Sequence, residues 1–199
     1  GGDISSTTGP LVVSVTAMGE GAPKKLFYRY RAQPGDDIWV TGPLGLAAGG
    51  LAALFAGESK PARLVKRQLR PMPQVELALS LAQTGFVVAG ADLSDGLVRD
   101  VQHLPVRGAG VELDVDKIPI DRSLSRLGDK LGKDATSWAL CGGEDFELVL
   151  ACRPSKRTAL EKFFNAQRVQ GMRVGHVVDR AGLQISGENI PTDLKGFTH

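Results

Sequence analysis

Phe86-Val87-Val88-Ala89-Gly90-Ala91-Asp92-Leu93-Ser94-Asp95-Gly96-Leu97 is the stretch around which the chain is organised. Phe86 to Ala91 is a short apolar run, as a buried strand has. Leu97, Val101 and Leu104 follow at the spacing of one helix face. Between strand and helix, two carboxylates and a hydroxyl fall within four residues and end in glycine. A strand end is a rigid mount, and a helix start offers free N–H groups to a phosphate. Asp92 and Asp95 are hard oxygen ligands, and Mg²⁺ is usually held by one or two carboxylates together with substrate phosphates. The stretch therefore reads as a metal-nucleotide site. The same residues also suit a tight turn in which Ser94 or Asp95 caps the helix; spacing alone does not separate the two readings.

Composition sets the outer limits. The chain has 199 residues, 42% of them hydrophobic, enough for one domain or one and a half with a real core. A net charge of +2 carries no nucleic-acid footprint by itself. No apolar run reaches the roughly 18 residues that a membrane span needs. The chain begins Gly1-Gly2-Asp3 without methionine, and a fragment or processed product is expected. Two cysteines, Cys141 and Cys152, make neither a disulfide framework nor a zinc cluster. Cys152 falls in a strand-like run and reads as a small buried apolar residue. A reducing, cytoplasmic setting fits. Glycine is abundant at 25 residues, which suits tight loops near small anionic ligands.

Working outward from the organising stretch, residues 75–82 upstream carry Val75, Ala78, Leu79 and Ala82 at helical spacing, with Gly85 as a stop. Residues 61–69 form a basic helix ended by Arg70-Pro71-Met72-Pro73. Leu46 to Phe55 is a helix of small residues, and Asp37 to Thr41 a strand after the turn Pro34-Gly35-Asp36. Lys24 to Arg31 alternates cations with Leu26, Phe27, Tyr28 and Tyr30, an extended edge segment. Its arginines are either snorkelling cations or a planar fork facing phosphate. Leu11 to Met18 reads as a strand, with a boundary at Gly19 to Pro23. Downstream come a half-exposed strand over 111–115, short helices over 123–131 and 136–140, and a strand over 146–152. Ser155 is placed to cap a helix over 156–165. Strands over 172–178 and 183–186 complete the chain.

Three acidic clusters stand beside glycines: Gly1-Gly2-Asp3, Asp92-Leu93-Ser94-Asp95-Gly96 and Gly142-Gly143-Glu144-Asp145. Glycine lets a backbone approach a ligand closely, and hard cations prefer oxygen. His103, His176 and His199 are scattered and lack a nucleophile motif, so no catalytic residue is assigned. No G-x-x-x-x-G-K-[ST] loop occurs.

Four motifs in this order carry a resemblance: Gly1-Gly2-Asp3; Ala91-Asp92-Leu93-Ser94-Asp95-Gly96-Leu97; Cys141-Gly142-Gly143-Glu144-Asp145-Phe146-Glu147-Leu148; and Lys195-Gly196-Phe197. With Leu69-Arg70-Pro71-Met72-Pro73 and Trp138-Ala139-Leu140, the chain resembles the thiamine-monophosphate kinase family of the AIR-synthetase (PurM-like) superfamily over essentially its whole length. The resemblance implies an α+β fold, a mixed sheet packed on helices as in PurM C-terminal-like domains. It implies that residues 1–20 are a remnant of the N-terminal ATP-binding and dimerisation domain, ending in that domain's last strand, and that 21–199 are the C-terminal-like domain. It implies ATP-dependent phosphorylation of thiamine monophosphate to thiamine diphosphate, by direct in-line transfer with several Mg²⁺ ions. Residue by residue, it implies Mg²⁺ at Asp3, Asp92 and Asp95. ATP would meet Gly2, Asp3, Arg29 and Ser94, and thiamine would meet Glu144 and Phe197. It implies a cytoplasmic homodimer in the full-length protein, with no nucleic-acid or membrane partner, and a fragment that can be inactive alone. Ile4, Gln68, Gln74 and Thr198 depart from the family's usual residues. The alternatives are another PurM-like ATP-using enzyme, a selenophosphate synthetase or AIR synthetase, and a non-catalytic nucleotide- or thiamine-binding fragment.

Overall fold

The structure is a computed structural model that describes residues 8–188 together with Ile190, Pro191 and Leu194. Six strands form one sheet: β1 (Asp37–Val40), β2 (Val87–Asp92), β3 (Gly110–Asp114), β4 (Leu148–Cys152), β5 (Met172–Val178) and β6 (Gly182–Ser186). Their spatial order is β2-β4-β1-β5-β3-β6. All pairings are antiparallel except β3 with β6. The α-helices are α1 (Leu46–Phe55), α2 (Ala62–Leu69), α3 (Val75–Ala82), α4 (Leu97–Asp100), α5 (Arg122–Leu131), α6 (Ala135–Cys141) and α7 (Arg157–Gln167). This is the α+β class, a mixed sheet packed on helices, that the sequence led us to expect.

The sheet is covered on both faces. Successive strand residues point to opposite faces, so a strand covered twice is apolar throughout. In β4, Leu148, Leu150 and Cys152 join Trp39 with Leu77 and Leu81 of α3 and Leu160 and Phe164 of α7. Val149 and Ala151 turn the other way, with Ile38, Val40, Leu97, Ala139 and Leu140, into the core that includes α4 and α6. Leu46, Ala53, Leu64, Leu124 and Leu127 make a third cluster among α1, α2 and α5. Each such leucine contributes roughly 1.5–3 kcal/mol on burial. Asp134 and Asp121 cap α6 and α5 by accepting from backbone N–H groups.

Register decides where the loops emerge. β2 and β4 are antiparallel, with Asp92 opposite Leu148. The chain leaving β2 and the chain entering β4 therefore meet at one end of the sheet. β1 leaves at that end too, since Val40 pairs with Val149 and Thr41 N–H donates to the Leu148 carbonyl at 3.2 Å.

Several expectations are corrected. No strand forms over 11–18. Residues 8–22 make no regular element, and Leu11, Val12, Val13, Val15 and Met18 stand exposed. A strand needs a partner for its N–H and C=O groups, and among the described residues no strand pairs with residues 11–18. In α3 the buried residues are Leu77 and Leu81, while Val75 and Leu79 face outward. The helix is apolar on nearly every side, so periodicity did not select its buried face. Ser155 caps nothing: it lies in a 3-10 turn, and α7 begins without a side-chain cap. The helix after the acidic loop is one α-turn, continued by a 3-10 turn over Val101–His103.

Candidate active site

The second and third acidic clusters form one unit. Glu144 N–H donates to the Ser94 carbonyl at 2.9 Å, Phe146 N–H to the Leu93 carbonyl at 2.9 Å, and Leu93 N–H to the Glu147 carbonyl at 2.8 Å. The contact is close because both sides supply glycine. A Cβ on Gly143, at φ +66°, would meet the Ser94 carbonyl oxygen at 2.7 Å. A Cβ on Gly96, at φ +99°, would meet the Cys141 backbone at 2.9 Å.

Within this unit the acids play different parts. Asp92 is exposed at the end of β2, and among the described residues it has no hydrogen-bond or ion-pair partner. Asp95 is half-buried and stands 3.9 Å from Arg99, an exposed pair of little energetic weight. Glu144 is exposed at φ +60°, its carboxylate without a partner among the described residues. Asp145, next in sequence, points the opposite way and is 4% exposed. Its Oδ2 accepts from Gly45 N–H at 2.6 Å and its Oδ1 from Ala47 N–H at 3.2 Å, closing the start of α1. Burial pushes its carboxyl up to about 6, against the pull of those two N–H groups and of Arg67. Glu147 is held by Thr41 Oγ1 at 2.9 Å and Arg67 Nη2 at 2.8 Å; burial raises it as well.

Ser94 and Asp95 do not cap the helix; Gly96 takes the N-cap position of α4, with no side-chain cap. A carboxylate that the motif reading passed over organises the loop. Asp100 Oδ2 accepts from Ser94 N–H at 2.9 Å and Asp95 N–H at 3.0 Å. Burial raises its pKa and those two N–H groups oppose the rise, while the Asp95 and Asp92 charges add to it.

Arg29 is exposed on a segment that runs beside β2, where Gly90 N–H donates to the Tyr28 carbonyl at 3.2 Å. Its neighbour Arg31 is used otherwise, stacked 3.8 Å from the Tyr28 ring centre. Gly2, Asp3 and Phe197 lie outside the described residues, so the first acidic cluster is not placed. Among the described residues no three His, Cys, Asp or Glu side chains gather as a metal cage.

A cleft of about 350 Å³ opens beside Glu144. It is lined by Ala48, Ala52 and Phe55 of α1, Trp138 and Cys141 of α6, and Glu144. An apolar cavity with a few polar groups is the usual form of a small-molecule site. Sequence reasoning found Glu144 but not the aromatic walls; the small-residue run Leu46 to Phe55 signalled close packing without saying against what.

Known proteins resemble this chain in sequence and fold. The family described as AIR synthase related protein, C-terminal domain, matches residues 33–188. A thiamine-monophosphate kinase of Rhodopirellula baltica is 35% identical over 184 residues, covering 92% of this chain and 52% of that protein. The crystal structure of thiamine-monophosphate kinase from Stenotrophomonas maltophilia K279a matches with TM-score 0.73 and 37% identity, over 81% of this chain and 53% of that one. AaThiL complexed with AMPPCP and TMP matches with TM-score 0.68 and 28% identity, over 83% and 52%. The chain thus spans little more than half the length of these relatives.

Proposed function

This chain belongs to the AIR synthase related proteins, whose C-terminal domain it carries, and from that premise we propose that it is the C-terminal part of a thiamine-monophosphate kinase. The whole enzyme would transfer the γ-phosphoryl group of ATP directly to thiamine monophosphate. The observation that carries the reading is the junction of two loops: Asp92-Leu93-Ser94-Asp95-Gly96 seated on Gly142-Gly143-Glu144, beside a cleft with aromatic walls. One side suits polyphosphate, and the other suits a flat ring. The named relatives and the ATP-analogue and TMP complex support the same assignment.

The residues present fit Mg²⁺. Asp92 is a hard, exposed donor with no competing side-chain partner among the described residues, and Asp95, a second hard oxygen donor, stands three residues on in the same loop. One or two carboxylates with phosphate oxygens and water is the usual Mg²⁺ arrangement. Bound there, the ion would offset the charge of the transferring phosphates. The protein's own share is positional. Asp92 and Asp95 would set the cation side, with Asp3 as a third donor, while Ser94, Gly2 and Arg29 would meet ATP. Glu144 in the cleft lining would face the cationic thiamine, and Phe197 its ring. The acceptor is a phosphate monoester whose second pKa is about 6. It is already largely ionised at neutral pH, so in-line transfer needs no general base and no phospho-enzyme.

Residues 1–20 are read as the remnant of an N-terminal ATP-binding and dimerisation domain and 21–199 as the PurM C-terminal-like domain, in a cytoplasmic homodimer. The test is thiamine diphosphate formation by the full-length gene product with Mg-ATP and thiamine monophosphate. Product without label on the protein supports direct transfer; failure to form product overturns the proposal.

A further inference from the structure

We infer that Asp145 is a positioning residue that fixes the width of the α1–α6 cleft, by tying the start of α1 to the loop that carries Glu144. The inference rests on the proposed function, in which that cleft takes the thiamine rings. Asp145 touches no solvent-facing surface where a substrate could meet it; it acts through its neighbours. Both of its carboxylate oxygens are used by α1, from Gly45 N–H and Ala47 N–H. Its backbone carbonyl accepts from Arg67 Nη2 of α2 at 2.8 Å, and the same nitrogen reaches Glu147 Oε1 at 2.8 Å. One residue thus fastens α1 through its side chain and α2 through its main chain.

The fastening lies against the cleft. Ala48, a wall residue, directly follows Ala47. A Cβ built on Gly142 would sit 2.4 Å from Ala48 Cβ, so loop and helix are already in close contact. Glu144, immediately before Asp145, is held in a left-handed conformation and lines the cleft. A shift of α1 changes the gap between Ala48 and Cys141 and the place of Glu144 together. Asp100 does the corresponding work for the other half of the site, since its carboxylate accepts from the Ser94 and Asp95 N–H groups of the phosphate loop. Two buried carboxylates therefore divide the positioning: Asp145 for the ring cleft and Asp100 for the phosphate loop.

The division predicts a split in kinetics. In the full-length gene product, Asp145→Asn keeps the side-chain shape but offers one acceptor to two N–H donors. The KM for thiamine monophosphate should rise about tenfold while the KM for ATP and kcat stay within about threefold, the pattern of lost ground-state binding on one side only. Asp100→Asn should show the reverse, with the KM for ATP raised and that for thiamine monophosphate little changed. A purely structural role would lower the melting temperature and leave both KM values alone; that result, or an equal rise in both, overturns the inference. If Asp145→Asn does not fold, Arg67→Lys is the second variant. It keeps the charge but shortens the reach to the Asp145 carbonyl, and it should give the same one-sided rise at smaller scale. An unchanged or evenly raised pair of KM values in Arg67→Lys overturns the inference equally. Wild-type protein that forms no thiamine diphosphate overturns the function and the inference together; wild-type turnover with an unsplit variant overturns the inference alone.

Discussion

Replacing Gly143 by alanine separates the two loops of the site by a known amount. Gly143 sits at φ +66°, and an added Cβ would stand 2.7 Å from the Ser94 carbonyl oxygen and 3.5 Å from Asp95 Cα. An unstrained carbon–oxygen contact is about 3.3 Å or more, so the loops must part by roughly 0.6 Å. Misplacement by about 1 Å at a reacting centre can cost on the order of 10²-fold; for Gly143→Ala a fall in kcat of about 10- to 100-fold follows. The left-handed backbone adds roughly 1–2 kcal/mol of destabilisation. Gly132→Ala is the matched control, because Gly132 is left-handed at φ +62° with nothing within 4 Å of its Cβ position. It carries the backbone cost without the push. Thermal melts and steady-state kinetics on both variants separate the effects. Both should melt lower than wild type, and only Gly143→Ala should lose turnover. Equal kcat in the two variants would refute the claim that close approach of the loops builds the site.

Other outcomes follow from individual residues. Asp92→Asn should reduce turnover by at least about 100-fold, as loss of a group stabilising transferring charge does. Its melting temperature should stay near wild type, because Asp92 is exposed and makes no hydrogen bond or ion pair among the described residues; a large melting shift with full activity contradicts its role. Asp145 holds its proton more tightly folded, at about 6 against an ordinary 3.8. Its contribution to stability is thus greatest below 3.8, falls as pH rises to about 6, and is constant above. Against Asp145→Asn, wild type should gain roughly 2 kcal/mol between pH 7.5 and pH 4 in urea unfolding, at roughly 1.4 kcal/mol per unit; a constant difference refutes it. Asp37 behaves oppositely. Burial opposes its ionisation, but hydrogen bonds from Arg157 and Arg173 overcome this and hold its pKa below the ordinary value. Its stabilisation is present above about 3.8 and lost as pH falls through the lowered value, so Asp37→Asn should flatten the acid limb of the stability curve.

The strands and the acidic loops could be read from short apolar runs and glycine–acid spacing, since both are local patterns. The meeting of the loops could not, because it follows from the register of Asp92 with Leu148, a long-range pairing. For the same reason Glu144 and Asp145 looked alike as neighbours. Only the fold turns one to the cleft and spends the other on the N–H groups of a helix a hundred residues earlier in the chain. Asp100 was invisible among helix residues, although an acid six residues beyond Ser94 is what a short loop needs to satisfy its N–H groups. The run Leu11 to Met18 has strand composition, but composition supplies no partner edge. In α3 the uniform apolarity left the buried face undetermined, and the sheet chose Leu77 and Leu81.

The most direct measurement is anomalous diffraction from crystals of the full-length protein soaked with Mn²⁺ and a non-hydrolysable ATP analogue. Metal peaks are expected at bonding distance from the Asp92 and Asp95 carboxylates, with the Glu144 side of the cleft free of metal. Metal and nucleotide bound elsewhere, with Asp92 and Asp95 facing only solvent, would contradict it.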